Sequence, residues 1–376
     1  MLLDALEIVT DPRIERTKRY TLQEVLLSAF IAILDGARSW RDIQYSALIH
    51  LDQLRQFLPF VNGIPSHHTY SRVFQLINPE TLEMAFRQFA QEIIKALDCD
   101  IKIINIDGKQ MRGATAAGGS TVHLLSAWCH DAGISMGQLK VNAKTNEITA
   151  IPELLDKLHV AGALVTIDAM GTQKEIAKKI VQQKAEYLLA LKGNQSSLSD
   201  EAQQVASNYA PDDAFEAQPE SINGFVFERS AKVFKVTARR FKTAKDWEKL
   251  ARIVQVTCVK THKKTKQVTV DIRYYITNNK TFSAEQYLTA TRNHWGIENG
   301  CHWQLDVTFR EDASRKYKGN SAENFSRFLR LCLNTVKTIN FTDSFRNASM
   351  RNKCKRIVHS KEYLSQVLYG ISGGAN

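Results

Sequence analysis

Two aspartates stand where apolar segments stop. Asp107 follows the run IKIINI and precedes a glycine, and Asp168 follows the run ALVTI. Both runs are rich in β-branched residues, which predicts strands that end at the two acids. If these strands are parallel neighbours in one sheet, the two carboxylates meet at the same edge. Adjacent carboxylates repel each other unless a cation neutralises them, so the pair predicts a site for Mg²⁺ or Mn²⁺.

A third acid from a later element would complete such a site. Glu298, in the segment NHWGIENGCHW, is the favoured candidate, because Trp295 and Ile297 can anchor its helix in the core. Glu311, in the segment FREDASR, competes for the same place. Glu147 is an outside candidate that we expect to cap the helix at its own position. Two divalent ions held by three acids can activate a water or a hydroxyl and stabilise the leaving oxygen of a phosphodiester.

The elements that must position these acids fall into three predicted regions. A capping box from Thr21 to Glu24 begins an apolar helix, and Gly36 ends it, as is typical of a small helical domain. The predicted boundaries are 1–97 for this helical N-terminal domain, 98–340 for a catalytic domain and 341–376 for a basic C-terminal helical tail.

The order of elements in the central region predicts the fold. Three antiparallel strands precede a helix, a strand, a helix and a strand, which gives the order βββαβαβ. This is the ribonuclease H-like arrangement, a mixed sheet flanked by helices. Residues 196–278 are strand-rich and are predicted to be a β-rich insertion, and a helical pattern returns from Ser283. The predicted fold class is therefore α/β with an additional all-helical N-terminal domain.

The composition favours a polyanionic partner. Lys and Arg number 50 against 39 Asp and Glu, which gives a net charge of +11. An excess of this kind is typical of proteins that bind nucleic acid. The N-terminus lacks the pattern of a secretory signal, the apolar runs are too short to span a bilayer, and the cysteines lack metal-site spacing. We expect a cytoplasmic, nucleoid-associated protein with reduced thiols.

Basic and polar side chains around the predicted site are candidates for DNA contact. Lys109 and Arg112 follow Asp107, and Lys192 follows a predicted strand, so all three are suited to phosphate oxygens. The segment from Ser66 resembles the second helix of a helix-turn-helix. The full set of predicted DNA contacts is Lys109, Arg112, Lys192, His67, Arg72, Arg292, His294 and His302.

A zinc site is an alternative use of two of these histidines. His294, Glu298 and His302 recur at i, i+4 and i+8, which would place them on one face of a continuous helix. Zinc sites usually need four ligands, and no fourth ligand follows at a suitable spacing. Phosphate contact is therefore the favoured interpretation of the two histidines.

Several longer strings carry a family resemblance. INIDGKQMRG, VTIDAMGTQKEIAKKI, YLLALKGNQ and RNHWGIENGCHWQLDVTFREDASR, with GARSWRDI nearer the N-terminus, occur in this order. Together they resemble the H-repeat-associated proteins and the related ISAs-type insertion-sequence transposases, a DDE family, over nearly the whole chain. Wider relatives often have Tyr, Arg and Lys at the positions of Thr291, His294 and Leu305.

The resemblance implies a function and a cofactor. Asp107, Asp168 and Glu298 correspond to the DDE triad, which would bind two Mg²⁺ or Mn²⁺ ions. The implied activity is cleavage of double-stranded DNA at element ends and strand transfer to target DNA, by a homodimer assembled on DNA. A structure-selective DNA nuclease on the same fold, and an inactive DNA-binding relic, are the alternative functions.

Overall fold

The chain divides into two compact units. The computed structural model describes residues 1–113, 122–141, 146–341 and 344–369. The first unit comprises Met1–Asp100, Gly108–Ala143 and Glu298–Asn376, and the second comprises Ile101–Asp107 and Lys144–Ile297. The domain boundaries at residues 97 and 340 stay a prediction.

Helices occupy both ends of the described chain, and the strands lie between them with three helices interspersed. The helices are α1 (Leu2–Glu7), α2 (Leu22–Asp35), α3 (Trp40–Ile49), α4 (Leu51–Leu54), α5 (His67–Leu76), α6 (Pro79–Ala96), α7 (Glu147–Asp156), α8 (Lys174–Gln182), α9 (Ser196–Asn208), α10 (Ala284–Asn293), α11 (Trp295–Ile297), α12 (Trp303–Val307), α13 (Ser321–Thr338), α14 (Met350–Val358) and α15 (Lys361–Tyr369). The strands are β1 (Ile103–Met111), β2 (Val122–Cys129), β3 (Ile134–Val141), β4 (Leu164–Ile167), β5 (Glu186–Leu191), β6 (Asp213–Glu216), β7 (Glu220–Ile222), β8 (Phe225–Lys235), β9 (Arg252–His262) and β10 (Val268–Thr277).

Helix α2 begins and ends where its sequence signals predict. The Glu24 N–H donates to Thr21 Oγ1, and the Thr21 N–H donates to the Glu24 carboxylate, so the predicted capping box is confirmed. Gly36 follows the last turn with a φ of +107°, in the left-handed region that favours glycine. The residues between these signals are almost all buried, which makes α2 a core helix of the first unit.

The ten strands form a mixed sheet. Their order is β3-β2-β1-β4-β5-β10-β9-β8-β6, and β7 pairs with β8. β4 is parallel to both β1 and β5, whereas β2 and β3 are antiparallel. In the second unit, Tyr287 and Leu288 of α10 pack in a buried cluster with Leu164, Leu188 and Val254 of the strands. The predicted order βββαβαβ and the mixed sheet flanked by helices are confirmed.

Strand β1 is longer than the sequence predicts. An Asp-Gly pair favours a turn, so the sequence predicts a strand that ends at Asp107. Instead β1 continues to Met111, with Lys109 and Met111 buried and Gln110 exposed. The prediction is wrong because the strand alternation persists beyond Gly108 and buries two more side chains. The parallel pairing with β4, however, has its last partners at Ile106.

The stretch predicted as a β-rich insertion begins with a helix. Leu198, Ala202 and Val205 are buried at helical spacing along α9, a helix that the strand-rich prediction does not include. The strand-rich character of the remainder is confirmed, since β8, β9 and β10 pair antiparallel. β10 also pairs antiparallel with β5, so the insertion extends the central sheet.

The helical segment around Glu298 is interrupted. A π-helix, Glu298–His302, lies between α11 and α12, and α10 ends at Asn293. The continuous helix that would align His294, Glu298 and His302 on one face is therefore a wrong prediction. A π turn has more residues than an α turn, so the spacing of i, i+4 and i+8 no longer marks one face.

Among the described residues, no helix is long and apolar enough to cross a membrane. All six cysteines are thiols.

Candidate active site

Asp107 and Asp168 follow the last paired residues of two neighbouring parallel strands. Ile106 of β1 is the register partner of Ile167 of β4. An aspartate directly follows each of these two residues, and both aspartates are partly exposed. The backbone pairing thus brings the two acids to the same edge of the sheet, as the sequence predicts.

Asp168 is oriented by the turn that follows it. Its Oδ1 accepts hydrogen bonds from the Met170 N–H at 3.0 Å and from the Gly171 N–H at 3.4 Å. A Cβ at Gly171 would collide with the side chain of Ile167 and lie 2.9 Å from Ile151 Cδ1, so the tight turn requires glycine. Among the described residues Oδ2 of Asp168 accepts no hydrogen bond, and it can serve as a ligand atom.

A buried polar network lies two residues before the aspartates. Asn105 and Thr166 are register partners, and the Asn105 amide donates to Thr166 Oγ1 at 2.7 Å. Both side chains are almost completely buried. Thr166 Oγ1 also lies 2.8 Å from His294 Nδ1, at the end of α10. Because side chains two residues apart share a strand face, the network supports the strand segments that carry Asp107 and Asp168.

Glu298 and His302 lie at the two ends of the π-helix. Glu298 is exposed, His302 is buried, and their side chains approach to 3.8 Å between Oε2 and Nδ1. A Cβ at Gly300 would lie 2.6 Å from Trp128 Cζ2 of β2. Glycine is therefore needed where the helix backbone packs against the indole. π-helical turns are frequent at functional sites.

One group of side chains could hold a metal ion. Asp107, Glu298 and His302 each offer one ligand atom, and these atoms lie within 4.8 Å of one another. Two carboxylate oxygens and an imidazole nitrogen suit Mn²⁺ and, less well, Mg²⁺, which prefers oxygen ligands. Asp168 and His294 are not members of this group. The sequence predicts His302 as a DNA contact rather than as a ligand of this metal, and its spacing of four residues from Glu298 is the signal that indicates the metal.

Glu311, the competitor for the third acid, is engaged elsewhere. Its side chain is fully buried and pairs with Arg330 at 2.9 Å and with Ser326 Oγ at 2.7 Å. Burial raises the pKa of Glu311, but the charges of Arg330 and Lys109 outweigh burial and hold this pKa below its usual value. A carboxylate used in this way stabilises the first unit, which leaves Glu298 as the better candidate.

Lys109 is held by three carboxylates. Its Nζ lies 2.5 Å from Asp306, 3.2 Å from Asp312 and 3.5 Å from Glu311. Burial lowers the pKa of Lys109, but the attraction of Glu311 and the hydrogen bond to Asp306 hold this pKa above its usual value. The side chain is only 8% exposed. The geometry therefore argues against Lys109 as a DNA contact, because its ammonium is already bound within the protein.

The other predicted DNA contacts differ in accessibility. Arg72, Arg112 and Lys192 are exposed. Arg292 is exposed and donates two 3.0 Å hydrogen bonds to Glu220. Because exposed ion pairs are weak, Arg292 could give up this carboxylate for a phosphate. His302 is buried, which disfavours direct contact with DNA.

His67 lies in the first turn of α5. Ser66 caps this helix as predicted, by accepting from the Thr69 N–H. The Nδ1 atom of His67 lies 3.1 Å from Gln44 Oε1, and the ring is partly buried. The contact of this helix with DNA stays a prediction.

Glu147 does not cap α7. The cap is Asn146, whose side chain accepts from the Thr149 N–H at 3.3 Å. Glu147 is the first residue of the helix, where its negative charge is favourable to the helix dipole. The expectation of a capping glutamate is corrected by one residue.

Two family models match the chain. The model described as "Transposase DDE domain" matches residues 98–335, and the model described as "DDE_Tnp_1-associated" matches residues 3–90. The two matches together span most of the sequence.

Relatives from Escherichia coli match along nearly the full length. "Putative transposase YncI" of strain O157:H7 is 36% identical over 99% of this chain and 95% of its own length. "H repeat-associated putative transposase YhhI" of strain K12 is 33% identical over 98% of each chain. "Putative protein YbfL" of the same strain is 34% identical over 98% of each chain.

A solved structure also aligns, but weakly. It is a piggyBac transposase synaptic complex with hairpin DNA, which matches 98% of this chain and 80% of that chain at 10% sequence identity. The TM-score of 0.46 is too low to support an inference.

Proposed function

The chain belongs to the transposase DDE domain family and is a DNA transposase, and from this premise we propose its chemistry. It cuts phosphodiester bonds at the ends of a mobile DNA element and joins the 3′-hydroxyl to target DNA. Asp107, Asp168 and Glu298 are the proposed metal-binding triad. The observation that carries this proposal is the parallel register whose last pair, Ile106 of β1 and Ile167 of β4, directly precedes Asp107 and Asp168.

The catalytic power of the proposed site comes from divalent metal ions. When bound, two Mg²⁺ or Mn²⁺ ions lower the pKa of an attacking water or hydroxyl and stabilise the leaving oxygen. The chain's own residues bind and orient. Asp168 is held by two backbone N–H groups, and the Asn105–Thr166 pair supports both strands. His302 supplies an imidazole nitrogen to the same group as Asp107.

DNA contact is proposed for the exposed cations. Arg112 and Lys192 are candidates for phosphate contact near the strand ends, and Arg72 for contact through the N-terminal helices. The net charge of +11 supports binding of a polyanion. Lys109 is left out of this set because it is bound to three carboxylates. We also propose that the active species on double-stranded DNA is a homodimer.

The test is cleavage by wild type and Asp107→Asn of duplex DNA made from the genomic segments that flank the coding sequence. The substitution keeps the shape of the side chain but removes a charged metal ligand. We expect strand cleavage in Mg²⁺ or Mn²⁺ to fall about 10³-fold or more, with duplex binding unchanged. Asp246→Asn, which alters an exposed pair with Lys174, is the matched control and should cleave normally.

The outcomes separate the competing functions. Equal cleavage by wild type and Asp107→Asn would contradict the assigned chemistry. Binding by both without cleavage by either would favour the inactive DNA-binding relic. Cleavage by wild type without joining to a second duplex would favour the nuclease.

A further inference from the structure

Lys109 shares a strand face with Asp107. The strand β1 continues through both residues, and side chains two residues apart on a strand point to the same side. Asp107 is partly exposed at this position, whereas Lys109 is buried. The lysine is therefore the next side chain on the face that carries the proposed metal ligand.

The carboxylates around Lys109 follow the π-helix in the chain. Asp306 belongs to α12, which begins directly after His302. Glu311 and Asp312 open a short 3₁₀ turn a few residues later. The ammonium thus ties the last part of β1 to the segment that continues from Glu298 and His302. We call these three acids, Asp306, Glu311 and Asp312, the lysine cage.

Gly113 provides independent evidence that the end of β1 is docked closely. A Cβ at this position would collide with the carbonyl oxygen of Asp312 and lie 2.8 Å from the carbonyl oxygen of Ser314. Backbone carbonyls cannot move aside as a flexible side chain can. The strand end therefore approaches the lysine cage more closely than any residue other than glycine allows.

The charges of the cage are matched. Glu311 also binds Arg330, and the exposed Arg112 lies 3.8 Å from Asp312. Buried ion pairs of this kind often add little net stability compared with apolar packing, because desolvation offsets their attraction. What they fix well is geometry, since a displaced charge would be left buried and unpaired.

We propose that Lys109 is a positioning residue for the proposed metal site, whose contact with the lysine cage fixes the end of β1 against the segment that follows Glu298 and His302. This inference rests on the proposed metal site and adds a residue that does not itself touch metal or DNA. Lys109 acts through β1 on one side and through α12 on the other. Loss of its charge lets the strand end shift, and the metal ligands then lose their spacing.

The test is Mn²⁺ binding to the full chain without DNA, followed by electron paramagnetic resonance. Lys109→Met keeps the length of the side chain and removes its charge, and Gly113→Ala pushes the strand end away without changing any charge. Both should weaken Mn²⁺ binding by about tenfold or more, the usual effect of losing a group that orients metal ligands. Lys109→Arg should retain most of the affinity. Lys174→Met, which breaks an exposed pair with Asp246, should retain all of it.

Several results would overturn the inference. One such result is that Lys109→Met and Gly113→Ala both fold and bind Mn²⁺ with an affinity within about twofold of wild type. The lysine cage would then have a purely structural role. If Lys109→Met does not fold, Gly113→Ala and Lys109→Arg decide the question. In Lys109→Met, Mn²⁺ could bind the three cage carboxylates in place of the lysine. The double variant Lys109→Met/Asp107→Asn identifies such binding, because Mn²⁺ held by the cage does not need Asp107. A wild type that binds no Mn²⁺ would instead contradict the proposed function, and the positioning role with it.

Discussion

The strand-built and the helix-built parts of the site are held in different ways. Asp107 and Asp168 are placed by backbone pairing between β1 and β4, and the Asn105–Thr166 hydrogen bond supports them. Glu298 and His302 lie on a short π-helix, which packs through Gly300 on Trp128. The first part depends on a ladder of many hydrogen bonds, and the second on a few individual side chains.

This difference determines where single substitutions act. A ladder spreads its stabilisation over many backbone groups, so loss of one side chain leaves the register intact. A π-helix has no such ladder to a neighbouring element and depends on packing and ion pairs. We therefore expect substitutions in the helix-built part to be more costly than those in the strand-built part.

The largest effect is expected at Arg330. Its guanidinium is fully buried against Glu311 and Ser126 of the first unit. Arg330→Met would leave the Glu311 carboxylate without its closest cation, and we expect a loss of about 3–5 kcal/mol in the free energy of unfolding. Urea denaturation measures this loss. Arg292→Met, which breaks the exposed pair with Glu220, should cost about 0–1 kcal/mol.

Equal losses for the two arginine variants would contradict this ranking. They would mean that the buried pair contributes no more than a surface pair.

A smaller effect is expected at Gly300. An alanine methyl would lie 2.6 Å from the Trp128 indole, so the π-helix must move or the ring must tilt. We expect Gly300→Ala to cost about 2 kcal/mol through overpacking. Thermal unfolding measures the loss, and Trp128→Phe in the same chain should restore part of it. Absence of any rescue would show that the strain lies in the backbone of the π turn rather than at the indole.

The smallest effect is expected at Thr166 in the strand-built part. Thr166→Val keeps the shape but removes the hydroxyl that contacts Asn105 and His294. We expect a loss of about 1 kcal/mol, the usual scale for one buried hydrogen bond. Hydrogen exchange should show that the β4 amides remain protected. If instead all β4 amides of Thr166→Val lost their protection, the Thr166 hydroxyl, and not the backbone pairing with β1, would fix the register of the strand.

Much of the fold could be predicted from local signals in the sequence. The capping box at Thr21 and the left-handed Gly36 act over a few residues, and the structure confirms them. The order of strands and helices follows from hydrophobic periodicity, which also predicts that Asp107 and Asp168 follow the paired segments of two neighbouring strands. The helix α9 was missed because its apolar positions are sparse within a polar, Ser- and Gln-rich stretch.

The remaining features depend on contacts distant in sequence. Lys109 is separated by about two hundred residues from the carboxylates that hold it, so its neighbours suggested an exposed cation. The π-helix arises where Gly300 packs on Trp128, and no local periodicity reveals that contact. The continuation of β1 past Asp107 likewise overrides the turn preference of an Asp-Gly pair.

Anomalous scattering from crystals of the full chain soaked in Mn²⁺ tests the proposed triad directly. We expect Mn²⁺ bound by oxygens of Asp107, with Asp168 and Glu298 as further ligands at about 2.0 to 2.6 Å. The Asp107→Asn variant should lose this peak. Mn²⁺ that remains at this position in Asp107→Asn, or that binds wild type only at sites distant from all three acids, would contradict the assignment of Asp107, Asp168 and Glu298 as metal ligands.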